Sequence, residues 1–260
     1  MSDEPRDPAR DRSHRERQHA FYAEREHAHL RAREADVYAD KLVRGLAQAL
    51  GITREARVLE VGAGFGRFSF ALLDHCAELT ALDLSERALC ELEDERDRRR
   101  IPAERCRTRV ADADHIDPHE VGAPFDFVLG FFFLHHMPIP ARTIHSLVPL
   151  LGAGGRMGFL EPNRRNPLFA LQVLGCRDMT WQEEKGMFQL SARGIETAYR
   201  EAGLSAPQSE RIGFYPPQLL NRFEWARSSE AWLERRSWLR PLLPFLLLTA
   251  TRPASKASAG

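Results

Sequence analysis

The sequence is short of lysine and carries no excess of charge. Only three lysines contribute to its 37 basic residues, which balance 37 acidic residues to a formal net charge of zero. A surface that binds nucleic acid needs a concentrated basic footprint. The balance therefore argues against a nucleic-acid partner.

Cysteines and long apolar runs are also scarce. No CxxC pair or metal-ligand spacing occurs among Cys76, Cys90, Cys106 and Cys176, which predicts reduced thiols and no metal site. The first residues lack the apolar stretch of a signal peptide. The longest apolar run, 242–248, is short and interrupted by proline. We expect a cytoplasmic protein that does not insert into a membrane.

Apolar residues make up 43% of the 260 residues, enough for one large core. Residues 1–50 are predicted to form a charged tail followed by lid helices that end near Leu50, and 51–260 a single domain. The pair Phe21-Tyr22 favours a lid that closes over a pocket, while the many charges around it equally favour a solvated face.

From Arg57 onward, strand and helix patterns alternate at crossover spacing. This order predicts an open α/β sheet with helices on both faces. Ser85 is a good N-cap for a helix over 86–100, and Ser191 begins another that stops at Gly203. A helical stripe from Ile144 to Leu151 is predicted to end in the turn 152–155. The predicted strands cover 58–61, 79–84, 107–112, 125–133, 155–161, 209–215 and 244–252.

Two stretches, 162–190 and 216–243, exceed the usual length of a connection. Both contain aromatic residues, among them Trp181, Trp225, Trp232 and Trp238. Long connections in a compact domain are often functional, so lid insertions are one interpretation. A small accessory helical subdomain with its own aromatic core is the other.

A glycine-rich turn, EVGAGFG at 60–66, follows the first predicted strand. Such a turn lets backbone N–H groups approach a ligand closely. In a dinucleotide-binding turn the third glycine would fall at position 67, which is Arg67. The spacing therefore argues against a nicotinamide-dependent oxidoreductase.

Acidic residues end the next two strands. Asp83 can accept hydrogen bonds from both hydroxyls of a ribose, which suits an adenosine-type ligand. Asp112 can accept a bond from an adenine amino group, or can simply cap the strand end.

These motifs, together with FDFVLGFFFLHHM and GGRMGFLEPN, resemble those of class I S-adenosylmethionine-dependent methyltransferases. The resemblance covers about residues 55–205. It implies a Rossmann-like seven-stranded sheet of order 3-2-1-4-5-7-6, with strand 7 antiparallel. It also implies S-adenosyl-L-methionine as cofactor, with Asp83 at the ribose. The other implied cofactor-binding residues are Glu60, Gly62, Ala63, Gly64, Gly66, Leu84, Asp112, Ala113, Gly130 and Phe131.

Three residues near the ends of strands four and five are candidate catalytic groups. His136 or His135 could remove a proton from an acceptor hydroxyl, with His136 slightly favoured as the inward side chain. Either could instead only shape the pocket. Glu161 is a second candidate base, or else a surface turn residue before Pro162.

The acceptor is predicted to be a small, partly apolar molecule. The segment 129–132 lacks the Asn/Asp-Pro-Pro-aromatic pattern used on nucleobase amines, and no cysteine for cytosine C5 chemistry lies between 106 and 176. Aromatic content favours a hydroxyl of a natural-product, quinone-like or lipid-derived compound. C- or N-methylation and a catalytically silent cofactor-binding module remain alternatives.

Overall fold

A computed structural model describes residues 31–32, 35–166 and 190–254. Within these ranges, no helix is both long enough and apolar enough to cross a lipid bilayer. The predicted lid residues 1–30 and most of 162–190, including Trp181, lie outside the described residues.

Seven strands form a single sheet of order β3-β2-β1-β4-β5-β7-β6. Strand β7 runs antiparallel to both of its neighbours, and the other adjacent pairs are parallel. The predicted order and the antiparallel strand are confirmed. The strands are β1 (Arg57–Val61), β2 (Glu78–Asp83), β3 (Cys106–Val110), β4 (Phe125–Phe131), β5 (Leu151–Pro162), β6 (Ser205–Ile212) and β7 (Phe245–Thr251).

Helices cover both faces of this sheet, because alternate strand residues point to opposite sides and both sets are apolar. Val58 and Leu59, neighbours on β1, belong to two separate buried clusters. The helices are α1 (Val37–Leu50), α2 (Ser69–Leu72), α3 (Glu86–Arg98), α4 (Pro118–Val121), α5 (Pro140–Leu147), α6 (Ala192–Glu201), α7 (Pro217–Arg222) and α8 (Glu224–Glu234).

Local sequence explains where several helices begin and end. The Ser85 and Ser191 side chains accept hydrogen bonds from Ala88 N–H and Gly194 N–H, as N-caps do. Helix α1 ends at Gly51, whose left-handed conformation lets its N–H bond back to the last turn. These boundaries match the prediction.

The predicted start of β5 was wrong. The strand begins at Leu151 rather than Gly155, because Leu151 already pairs with Phe125 and the register then shifts before Phe127. The glycines between Leu151 and Arg156 therefore form a bulge in β5 instead of a free turn. The Arg252 guanidinium donates to the Leu151 carbonyl and fixes this start.

Strand β6 also differs from the prediction of 209–215. It starts at Ser205 and ends at Ile212. The backbone N–H groups that follow donate to two acidic side chains outside the sheet. Gly213 N–H donates to Glu234 Oε1 at 2.6 Å, and Phe214 N–H donates to Glu230 Oε1 at 2.7 Å. These long-range acceptors on α8 end the strand.

Candidate functional site

The carboxyl ends of the parallel strands β1, β2, β4 and β5 meet at one edge of the sheet. Ligands of open α/β sheets bind at this edge. The glycine turn follows β1, Asp83 ends β2, the two histidines follow β4 and Glu161 lies at the end of β5. The fold therefore brings most of the predicted site residues to one edge.

Within the glycine turn, Gly64 faces open space. Its φ is +53°, and no heavy atom of the described residues beyond its two chain neighbours lies within 4 Å of the position that a Cβ would occupy. By contrast, a Cβ at Gly62 would lie 2.4 Å from the Phe133 ring, so that glycine is needed for packing. The turn thus has room for a ligand directly over Gly64.

Asp83 is bonded directly to the glycine turn. Its side chain is buried, and Oδ2 accepts a hydrogen bond from Gly64 N–H at 2.8 Å while Oδ1 accepts one from Ser85 N–H at 2.9 Å. Burial raises the pKa of Asp83, although these N–H donors oppose the shift. Each carboxylate oxygen has a second acceptor position. Two neighbouring hydroxyls, as in a ribose, can donate hydrogen bonds to these two positions.

Three more residues predicted to bind the cofactor, Ala63, Leu84 and Gly66, lie beside Gly64 and Asp83 and make contacts within the protein. Ala63 N–H donates to Leu82 O, which ties the glycine turn to β2, and Leu84 is half-buried. Gly66 packs against Leu92, whose Cγ would lie 2.8 Å from an added Cβ.

Glu60 is a buried acid on β1. Its Oε2 accepts a hydrogen bond from the Ser69 hydroxyl at 2.6 Å. Burial raises the pKa of Glu60 to about 8, while the Ser69 bond opposes this shift. A nearby ammonium group would favour the ionised form.

The raised pKa predicts a pH-dependent stability. Between its ordinary value of 4.5 and about 8, the folded chain holds a proton on Glu60 that the unfolded chain has released. Stability therefore falls as pH rises through this window, by at most about 1.4 kcal/mol per pH unit from this group. Glu60→Gln should flatten the dependence in urea unfolding measured across that window. Glu55→Gln, at an exposed acid, should leave the slope unchanged; equal slopes in all three proteins would contradict the prediction.

Glu161 organises the turn after β4. It is fully buried, so the surface-turn interpretation was wrong. Its Oε1 accepts hydrogen bonds from Phe133 N–H at 3.0 Å and Leu134 N–H at 2.6 Å, and Oε2 lies 2.7 Å from His135 Nδ1. Burial raises the pKa of Glu161 and lowers that of His135. Both shifts disfavour an ion pair, so the imidazole is neutral; its Nδ1 either donates to the carboxylate or accepts from the protonated carboxyl group.

The two histidines occupy different environments. His135 is buried beside Glu161, whereas His136 is half-buried, and their ring centroids lie 3.9 Å apart. His135 is the more buried of the two and takes the carboxylate partner; the slight preference for His136 as the side chain that faces the acceptor stays a prediction. His136 is the more accessible of the two at this edge.

Asp112 lies in the loop after β3, which ends at Val110 rather than at 112. Its Oδ1 accepts a hydrogen bond from Asp114 N–H at 2.9 Å, so it caps the local turn. The adjacent Ala113 is buried, and its carbonyl accepts a bond from the Ser146 hydroxyl. The capping geometry leaves further acceptor positions on the Asp112 carboxylate.

Gly130 and Phe131 lie at the end of β4. A Cβ at Gly130 would come within 2.9 Å of the Val61 carbonyl oxygen, so close strand packing requires glycine there. The Phe131 ring stacks on Phe68 at a centroid distance of 4.6 Å. Strand β4 pairs with β1, so both residues lie beside the glycine turn that follows β1.

Two comparisons agree with this geometry. A family model described as a methyltransferase domain matches residues 59–157, which include the glycine turn, Asp83, Asp112 and both histidines. The chain is 31% identical, over 54% of its length and 56% of the relative's, to a ubiquinone biosynthesis O-methyltransferase of Alkalilimnicola ehrlichii. The same identity holds over 62% of this chain and 65% of the enzyme of that name from Xylella fastidiosa. These matches support a class I S-adenosylmethionine-dependent methyltransferase. The matches span less than two thirds of these relatives.

A solved methyltransferase structure has the same fold. The N-methyltransferase NodS of Bradyrhizobium japonicum, in complex with S-adenosyl-L-homocysteine, aligns with a TM-score of 0.58 at 15% identity. The alignment covers 92% of this chain and 98% of NodS. At this identity the likeness supports the fold alone.

Sequence reasoning missed the residues that anchor the Asp112 loop in this methyltransferase domain. Asp114 accepts hydrogen bonds from the Arg142 guanidinium and, at 2.5 Å, from the Thr143 hydroxyl, both on α5. The polar residues of α5 recur on one helical face, at 143 and 146. That spacing in the sequence could have indicated a helix face that anchors a loop.

A second missed group joins α1, the glycine turn and α7. Arg67 Nε donates to Asp36 Oδ2 at 2.9 Å, and Asn221 Nδ2 donates to Asp36 Oδ1 at 3.1 Å. Burial tends to raise the pKa of Asp36, but the Arg67 charge and these bonds outweigh it and lower the pKa. An isolated β-bridge pairs Arg31 with Gly66, so the chain before α1 lies against the glycine turn.

The described parts of the chain contain no group of three or more histidine, cysteine or acidic side chains placed to hold a metal ion.

Proposed function

We propose that this protein transfers the methyl group of S-adenosyl-L-methionine to a hydroxyl of a small, partly apolar acceptor, with a quinone-like phenol as the favoured class. The open space over Gly64, with the buried Asp83 carboxylate bonded to the Gly64 N–H beside it, carries the proposal. The two ubiquinone biosynthesis relatives support a phenolic hydroxyl.

The cofactor would lie along the sheet edge. Asp83 would accept the ribose hydroxyls, and Asp112 with Ala113 would contact the adenine. Glu60, the glycine turn and the end of β4 at Gly130 and Phe131 would surround the methionine part. When bound, the cofactor supplies a methyl group activated by its attachment to a positively charged sulfur.

A cluster of aromatic rings would form the acceptor wall. Phe132 lies 5.7 Å from Phe68 and 5.2 Å from Phe245, ring centroid to centroid, and Tyr38 also contacts Phe245, edge to face at 6.2 Å. Phe132 has a φ of +54°, a conformation that costs a non-glycine residue about 1–2 kcal/mol. Such strain clusters at functional sites. These rings suit a flat, partly apolar acceptor.

His136 would be the base that removes the proton of the acceptor hydroxyl. His135 and Glu161 would be positioning residues, because their polar atoms already bond each other and the turn that carries His136. Neighbouring imidazole rings at 3.9 Å would limit the rotation of His136. Alignment of the hydroxyl with the methyl group, with water excluded, would supply much of the remaining acceleration.

Calorimetric titration followed by product analysis tests the proposal. The protein should bind S-adenosyl-L-homocysteine and should not bind NAD at comparable concentrations. Incubation of S-adenosyl-L-methionine with catechol-type acceptors should then give an O-methylated product by mass spectrometry. Binding of NAD alone would overturn the cofactor assignment. Cofactor binding with methylation only at nitrogen or carbon would overturn the hydroxyl acceptor.

A further inference from the structure

Large apolar side chains are exposed at one place in the chain. Among the described residues, six large hydrophobic side chains are exposed, and five of them lie between positions 223 and 242. Trp225, Trp232 and Trp238 are 55%, 56% and 72% exposed. We call the five the tryptophan patch: Phe223, Trp225, Trp232, Trp238 and Leu242.

These side chains lie outside the buried core, although the Trp225 ring contacts Tyr215 and Phe223 at the surface. Helix α8 packs against the rest of the domain through its opposite face, where Ala226 and Glu230 are buried. Glu230 forms an ion pair with Lys41 of α1 at 2.5 Å. Trp225 and Trp232 are seven residues apart, so they share the outer face of the helix. The accessory-core interpretation of these tryptophans was therefore wrong.

The patch is set among positive charges. Residues 222–242, which the structure describes in full, expose one acid, Glu224, and five arginines. The arginine guanidinium of Arg236 lies 3.9 Å from the centroid of the Trp232 ring, and that of Arg222 lies 5.4 Å from Phe223. The whole chain is neutral. The exposed arginines are Arg222, Arg227, Arg235, Arg236 and Arg240.

We propose that the tryptophan patch docks this protein on the surface of an anionic lipid bilayer. Tryptophan rings partition into the interfacial layer of a membrane, and arginines beside them attract lipid phosphates. No described helix can span the bilayer, so the contact is peripheral. This inference goes beyond methyl transfer and concerns where the protein works.

Charge favours lipid over a second copy of the chain. In a twofold symmetric dimer through this surface, the arginine-rich surface of one copy would face the same surface of the other, with five exposed arginines and a single exposed acid on each side. Like charges placed together in an interface cost binding energy. An anionic bilayer instead neutralises them.

Hydrogen bonds and ion pairs also link the tryptophan patch to the candidate site. The helices α7 and α8 are held to α1 by Asn221–Asp36 and by Glu230–Lys41 contacts, and Asp36 binds Arg67 beside the glycine turn. A docked patch would therefore hold the site near the bilayer, where acceptors with long apolar tails are found.

Co-sedimentation with vesicles tests the proposal. The full chain should bind vesicles of phosphatidylcholine mixed with phosphatidylglycerol, bind pure phosphatidylcholine at least about tenfold more weakly, and lose binding as salt rises. A Trp225→Ser/Trp232→Ser variant should bind the anionic vesicles about tenfold or more weakly. The assay contains neither cofactor nor acceptor, so its result is independent of the proposed function.

Matched controls make the outcome specific. Val110→Ser makes the same kind of change at the exposed apolar residue outside the patch, and should leave vesicle binding unchanged. Arg240→Glu should weaken binding and Arg54→Glu should not; circular dichroism checks that every variant is folded. Wild-type-like binding by the double tryptophan variant, or equal binding to both vesicle types, would overturn the proposal. A concentration-dependent dimer that this variant abolishes, without vesicle binding, would assign the patch to a second copy and also overturn it.

Discussion

A Gly64→Val variant should bind S-adenosyl-L-homocysteine at least about 100-fold more weakly than the wild type, because a branched side chain would fill the space over the glycine turn. Among the described residues, no heavy atom beyond Gly64 and its two neighbours lies within 4 Å of the added Cβ, so the loss would come from the ligand site rather than from the core. Isothermal titration calorimetry measures it directly.

Backbone strain has to be separated from this steric effect, since valine is disfavoured at a φ of +53°. Gly203→Val is the matched control. Gly203 has a φ of +80°, and in the described part of the chain no heavy atom beyond its neighbours lies within 4 Å of an added Cβ; it lies at the end of α6, outside the predicted site. Both variants should lose stability to a similar extent, but only Gly64→Val should lose the ligand. Similar affinities in both would show that nothing binds over Gly64.

Asp83→Ala should weaken the same ligand by about 1.5–3 kcal/mol, the range for hydrogen bonds to a charged group. Asp83→Asn keeps an acceptor oxygen, so it should lose less. Unchanged affinity in both variants would remove Asp83 from the ribose site while leaving the Gly64 result intact.

The sequence was sufficient for the sheet and the glycine turn because their determinants are local. A short apolar run, a turn rich in glycine and an acid at the next strand end follow one another along the chain, and the alternation of strands and helices indicated an open α/β sheet. The order of the strands was implied by the resemblance to class I methyltransferases. Helix ends at Gly51 and Gly203 were predicted for the same reason: a residue's own conformation defines them.

The errors arose where a distant residue decides the local structure. The start of β5 depends on the Arg252 guanidinium at the Leu151 carbonyl, and the end of β6 depends on Glu230 and Glu234 of α8. Neither partner is close in sequence. A periodic pattern of apolar residues contains no information about such hydrogen bonds.

The orientation of the histidine pair shows the same limit at the site. Two adjacent histidines after a strand look equivalent in the sequence. Glu161, 26 residues after His135, selects His135 as its partner and thereby leaves His136 more accessible. The location of the pair was predictable, but its division into one buried and one half-buried ring was not.

His136→Ala should lower turnover by roughly 10²–10⁴ while the affinity for S-adenosyl-L-homocysteine stays nearly constant. The wild-type rate should fall at low pH, because a protonated imidazole cannot accept the hydroxyl proton. This acidic limb should be absent in the variant. Steady-state kinetics across pH, with the acceptor found by product analysis, provide the measurement.

Positioning residues should behave differently, and this contrast decides the mechanism. Glu161→Ala leaves two backbone N–H groups and His135 without their buried acceptor, which costs about 1–3 kcal/mol per unsatisfied group. That variant should lose stability and turnover together, and its remaining activity should keep the acidic limb, because His136 is still present. Glu161→Gln retains an acceptor oxygen and should recover much of both losses. If His136→Ala instead retains nearly full turnover with an unchanged pH profile, no base acts there, and alignment of the acceptor with the methyl group accounts for the rate.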